Sequence, residues 1–156
     1  MSQDGVDLET SLGYLLKEVS SALRSAMEAA LRPLGMTVTH YSCLELLAQR
    51  PGMSNSELAR GTFVTRQSMS VLLQALEREG SVTRPAEAAV GKVLPTQLTQ
   101  QGRRQLQKAT TAVRNVEVRM LSGMTAEDQS HARRLLRSMS TSLGSGEQTG
   151  TEERRG

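Results

Sequence analysis

Residues 54–80 read SNSELARGTFVTRQSMSVLLQALEREG, and the order of signals within them decides the fold. Ser54 and Glu57 form the S-x-x-E pattern of a capping box. The Ser54 hydroxyl accepts from a backbone N–H one turn on, and Glu57 reaches back, so a helix opens at Asn55. Leu58 and Ala59 give that helix an inward face, and it is short, running to Arg60. Gly61-Thr62-Phe63-Val64 predicts a turn. Thr65 then caps a longer helix reaching Glu79, whose Met69, Leu72, Leu73 and Leu76 fall on one side, and Gly80 ends it. A short helix joined by a tight turn to a longer one is the helix-turn-helix arrangement.

Working outward, the pattern after Gly80 switches from helical to extended. Val82-Thr83-Arg84 reads as one short strand, and Lys92-Val93-Leu94 with Thr96-Gln97-Leu98 as another, around a loop at 85–91. Pro95 is tolerated because a two-stranded ribbon has free edges. Thr99 caps a further helix in which Leu106, Ala109, Val113, Val116 and Met120 recur at steps of three and four. That seam is coiled-coil-like and is expected to face a partner subunit. Ser122-Gly123 breaks the helix, and Thr125 caps a last one with Leu135, Leu136, Met139 and Leu143 apolar. Upstream, Leu8, Leu12, Leu15, Leu16, Val19, Leu23, Met27, Ala30 and Leu31 mark one face of a helix over 8–31, ended by Pro33 and Gly35. A second helix spans Val38–Gln49, and Arg50-Pro51-Gly52 stops it. The expected fold is mainly α with a small β wing: a winged helix-turn-helix over about 38–98, flanked by N- and C-terminal dimerisation helices at 8–31 and 99–143. Residues 1–7 read as a flexible start to this single domain. Residues 144–156 hold no apolar side chain and read as a disordered tail.

Composition narrows the function. Aromatic residues are 2% of the 156, so the core must be aliphatic, which suits packed helices. The net charge of +3 is a mild bias toward a polyanion, and the distribution of charge matters more than its total. A single cysteine, Cys43, forbids an intramolecular disulfide. It lies between Tyr41 and Leu44 with no basic residue within six positions on its C-terminal side, and so reads as a buried small residue rather than a reactive thiolate. His40 and His131, with one distant cysteine, do not suggest a metal site. Residues 1–9 are polar and acidic, unlike a signal peptide, and no apolar run approaches a membrane span, so a cytoplasmic protein without membrane contact is expected. No nucleophile with an adjacent base, glycine-rich phosphate loop or metal cluster supports an enzyme, and no cofactor is implied.

The second helix of a helix-turn-helix lies in the major groove of duplex DNA, with its first residues at base edges. Here those residues are Thr65, Arg66, Gln67, Ser68, Met69 and Ser70. Arg66 matches guanine O6 and N7 in a bidentate fashion, and Gln67 matches adenine N6 and N7. The hydroxyls of Thr65, Ser68 and Ser70 suit bases or phosphates. Asn55, Arg60 and Arg84 are further phosphate candidates. No acidic residue lies between Leu58 and Glu77, which lets this face approach a polyanion. The plain alternative leaves Arg66 and Gln67 as solvated surface, and the competing function is a winged-helix protein–protein interaction module that never touches DNA. Salt-sensitive duplex binding separates the two.

The run Asn55-Ser56-Glu57-Leu58-Ala59, then Val64 to Ser70, then Leu76-Glu77-Arg78-Glu79-Gly80, Val82-Thr83-Arg84, and Gln97-Leu98-Thr99-Gln100-Gln101-Gly102 resembles the MarR family of transcriptional regulators. The resemblance covers about residues 8–143. It implies a homodimer on a pseudo-palindromic operator, most simply as a repressor. It also implies a small-molecule effector, phenolic or another lipophilic anion, bound where the dimerisation helices meet the winged module. Tyr14, Met27, His40 and Tyr41 lie near that junction. The family commonly carries Asp-x-Arg in the wing, but here Val90 and Lys92 stand at those positions. The resemblance implies that Lys92 reaches the minor groove. A lysine lacks the planar fork of arginine, so it contributes mainly charge.

Overall fold

The computed structural model describes residues 5–84 and 95–148, with side chains described as far as Gly144. Six α-helices form among the described residues: α1 (Leu12–Leu31), α2 (Val38–Gln49), α3 (Asn55–Thr62), α4 (Arg66–Arg78), α5 (Gln100–Met120) and α6 (Ala126–Gln148). A 3-10 turn, Arg32–Leu34, links α1 to α2, and two short strands, β1 (Val82–Thr83) and β2 (Gln97–Leu98), lie between α4 and α5. The strands pair antiparallel, with Val82 opposite Leu98 and Thr83 opposite Gln97. The chain forms two compact units, dividing after Glu117 within α5.

Each helix opens on a hydroxyl placed to accept an otherwise unpaired N–H. Thr37 caps α2 through His40 N (3.1 Å), Ser54 caps α3 through Glu57 N (3.2 Å) and Thr65 caps α4 through Ser68 N (3.1 Å). In the α3 box, Glu57 accepts from the Ser54 hydroxyl (3.0 Å) instead of reaching the backbone. At α6 the box is reciprocal: Thr125 Oγ1 accepts from Asp128 N (3.1 Å) and Asp128 Oδ2 from Thr125 N (3.0 Å). Helix α1 begins later than expected, at Leu12, because the Ser11 hydroxyl accepts from Tyr14 N (3.3 Å) and sets its start. Helix α6 runs on to Gln148, past the expected boundary at 143. Within the last expected segment, residues 149–156 lie outside the described residues, as do residues 85–94 with Val90 and Lys92.

The core of the first unit is aliphatic. Leu31, Cys43, Leu44, Leu47, Leu58, Met69, Leu73 and Leu76 are buried together, joined by Val82 and Leu98 from the strands. Leu106 and Ala109 of α5 also belong to this core, and Val113 packs against it. The apolar seam of α5 is therefore spent within the chain over its first half. This corrects the expectation that the whole seam meets a partner, and the reason is that Leu106 and Ala109 are buried in one cluster with Leu44 and Leu47 of α2 and Leu73 and Leu76 of α4. Helix α1 is different. Of its 20 residues Leu31 is buried, while Leu12, Leu15, Leu16 and Val19 remain exposed.

The joint between α4, the wing and α5 explains two sequence signatures at once. Gly80 has φ +80°, the left-handed value that favours glycine. Thr99 Oγ1 donates to Gly80 O (2.6 Å) and accepts from Gly102 N (3.1 Å), so one hydroxyl closes α4 and opens α5. A Cβ on Gly102 would stand 2.2 Å from Ser81 O. The glycines of Leu-Glu-x-x-Gly and Leu-Thr-x-x-Gly thus serve the same close crossing of backbones.

Candidate nucleic-acid interface

Helix α4 is anchored by Met69, Leu73 and Leu76, all buried, and by the contact of Cys43 Sγ with Met69 Sδ (3.9 Å). Those anchors hold its first turn outward. Thr65, Arg66, Gln67 and Ser68 are all exposed. The Thr65 hydroxyl donates to Ser68 Oγ (3.0 Å) while accepting from Ser68 N, so it is engaged as a cap and Ser68 is held beside it. Arg66 and Gln67 stand free of any such local bond among the described residues.

The other candidates divide. Asn55 and Ser70 come together, but onto each other: Asn55 Nδ2 donates to Ser70 Oγ, with both side chains half-buried. This pair ties the start of α3 to the second turn of α4. Asn55 Oδ1 is buried without a partner among the described residues. Arg84 is drawn back to Glu77, with Nε 3.5 Å from Oε2, a charge contact without hydrogen-bond alignment. Glu77 therefore holds the Arg84 guanidinium against its own chain.

The turn itself is tighter than its sequence implied, because α3 continues to Thr62. The Thr62 hydroxyl donates back to Leu58 O (2.7 Å). Phe63 N bonds Arg60 O (3.3 Å) and Val64 N bonds Ala59 O (3.0 Å), the paired 5→2 and 6→1 bonds of a Schellman motif. Phe63 takes φ 61°, ψ 37°. That left-handed conformation costs an L residue roughly 1–2 kcal/mol. The same motif closes the 3-10 turn and α4, where Gly35 and Gly80 occupy the left-handed position.

On another side of the unit a groove of about 350 Å³ is lined by Pro33, Leu34, Gly35, Met36, His40, Glu79, Gln105 and Lys108. His40 Nε2 is buried with no hydrogen-bond partner among the described residues. Burial lowers the His40 pKa from 6.5, an effect partly opposed by Glu79. Of the four proposed ligand residues, His40 lines this groove, whereas Tyr14, Met27 and Tyr41 are not among its walls. Tyr41 instead donates to Glu45 (3.4 Å), and burial, then Glu45, push its pKa up to about 12. Sequence reasoning missed Glu79, Gln105 and Lys108 because no spacing rule joins the end of α4 to the middle of α5. Cys43 is fully buried, and burial pushes its thiol up to about 12, as its apolar neighbours implied.

A short capped helix, a tight turn, a second helix with no carboxylate before Glu77 and a two-stranded ribbon define a winged helix-turn-helix protein. The chain belongs to the MarR family, whose sequence profile matches residues 34–92, and it is a transcriptional regulator of that family. It is 42% identical over 132 residues to the HTH-type transcriptional repressor Rv2887 of Mycobacterium tuberculosis, covering 85% of this chain and 95% of that one. The solved structure of Rv2887 with salicylic acid superposes with a TM-score of 0.70 at 41% identity, covering 87% of this chain and 98% of that chain. Rv2887 in complex with DNA gives a TM-score of 0.69 at 41% identity, over 83% and 98%. CouR of Rhodococcus jostii RHA1 bound to p-coumaroyl-CoA gives 0.75 at 25% identity, over 86% and 95%.

Proposed function

We propose that this chain is a cytoplasmic repressor, without enzymatic activity, that binds a two-fold symmetric DNA operator as a homodimer and is released by a phenolic acid. The observation that carries the DNA reading is the first turn of α4. Arg66 and Gln67 project from a helix fixed by a buried core, on a surface free of carboxylates from Leu58 to Glu77. Thr65, Ser68, Arg60 and Lys92 serve the phosphates around them, while Asn55 and Ser70 stiffen the two-helix unit and Arg84 joins the phosphates only after leaving Glu77. In the first unit the exposed apolar face of α1 serves dimerisation, and in the second unit the exposed Leu135, Leu136 and Leu143 of α6 do so. Residues 8–143 act as one functional domain.

The groove at His40 is the effector site. Lys108 supplies a cation for an aromatic carboxylate and His40 Nε2 an unused polar atom, with the Glu79 carboxylate on the same wall opposing the anion. Tyr14, Met27 and Tyr41 then act from outside its walls. Because the groove touches both the end of α4 and α5, a ligand there is placed to bias the α4–wing–α5 joint. Selection of bound duplexes from a random pool tests the DNA reading, and an enriched inverted repeat is expected. Adding salicylate to that complex should release the duplex, and Lys108→Ala should raise the concentration required. A pool without enrichment would favour the protein-interaction module instead.

A further inference from the structure

We infer that Phe63 is itself a DNA-contacting residue, packing its ring on the sugar–phosphate wall of the major groove beside the start of α4; this rests on the DNA-binding reading above. Three helix ends in this chain use the same pair of closing bonds, Met36 N to Leu31 O with Gly35 N to Arg32 O, Val64 N to Ala59 O with Phe63 N to Arg60 O, and Ser81 N to Leu76 O with Gly80 N to Glu77 O. Each places one residue in the left-handed region: Gly35, Phe63 and Gly80. Folding favours glycine there, and two of the three ends have it. The third carries a large aromatic ring that is 94% exposed, the most exposed large hydrophobic side chain among the described residues. The Cβ of Phe63 brings the left-handed cost that glycine avoids, and the ring gains almost no packing among the described residues.

Its place in the fold says what would cover it. Phe63 precedes the Thr65 cap by two residues, and the exposed cations Arg60 and Arg66 stand three residues to either side. A surface flanked by two guanidiniums at the entry of α4 is continuous with the face that meets the duplex. There a phenyl ring is matched by deoxyribose carbons or a thymine methyl, the apolar parts of DNA that lie between phosphates. The occupant is thus duplex DNA, not another protein.

Phe63→Asn and Phe63→Gly remove the ring while keeping residues that accept the left-handed conformation. Both variants should melt at or above the wild-type temperature. Both should bind the duplex selected by the wild type about tenfold more weakly, as expected for losing a partly buried aromatic contact. The dependence on salt should keep its slope, because no phosphate contact is lost. Wild-type affinity in both variants would overturn this assignment alone, as would weakened binding that merely tracks a lowered melting temperature. A wild-type chain that binds no duplex would overturn both this inference and the reading beneath it.

Discussion

Arg66 carries the sharpest expectation at the residue scale. If its guanidinium reads a guanine edge, Arg66→Ala should lower specific affinity by about 1–3 kcal/mol and relax preference at one base pair per half-site. A uniform loss on all duplexes would make it a phosphate contact, and no loss would remove it from the interface. His40 makes a second expectation, this one about pH. Its folded pKa lies below 6.5, so the unfolded chain takes up the proton first as pH falls. Stability should be level above about pH 7, decline as pH drops through 6.5 and level off again below the folded value. Urea unfolding at about pH 7.5 and 5.5 measures this, and His40→Gln should shrink the difference. Cys43 makes the third. A buried thiol with a raised pKa should resist a thiol-specific reagent in the native protein and react only on unfolding. Rapid native labelling, or release from DNA by peroxide, would contradict it.

At the scale of elements, the joint between Gly80 and Gly102 is the most demanding part of the fold. Gly102→Ala must push Ser81 O away from a Cβ at 2.2 Å, and backbone cannot swing aside as a flexible side chain can. We expect a loss of about 1–3 kcal/mol, read as a lowered melting temperature. Thr99→Ala should cost about 1 kcal/mol through the lost cap. This joint also shows what was legible in the sequence. The capping residues Ser54, Thr65 and Thr99 and the stops at Gly35 and Gly80 are local chemistry, so helix positions followed from them closely. Phe63 gave no local sign of its left-handed backbone, and the turn was read as longer than it is. The partners of Asn55 and Arg84 lie on neighbouring elements, at Ser70 and Glu77 of α4. Residue type alone marked both as phosphate ligands. Likewise the α5 seam has the period of an interface, but period does not say which surface it meets.

At the scale of the whole molecule, the account needs two recognition helices held at a fixed separation. The exposed leucines of α1 are the clearest apolar surface left without a partner among the described residues. Placing a charge there, as in Leu16→Glu, should shift the protein toward monomer in sedimentation and abolish high-affinity operator binding together, while α4 stays folded. Both recognition helices should enter one face of the duplex with half-site centres about 10 bp apart. With about 6–10 phosphates neutralised by the pair, affinity should fall about 10³–10⁵-fold between 50 and 200 mM salt. The most direct test inserts about five base pairs between the half-sites of the selected operator, turning one of them to the opposite face. The dimer should lose most of its affinity for the altered duplex while keeping its steep salt dependence. Undiminished binding to the altered duplex would contradict it.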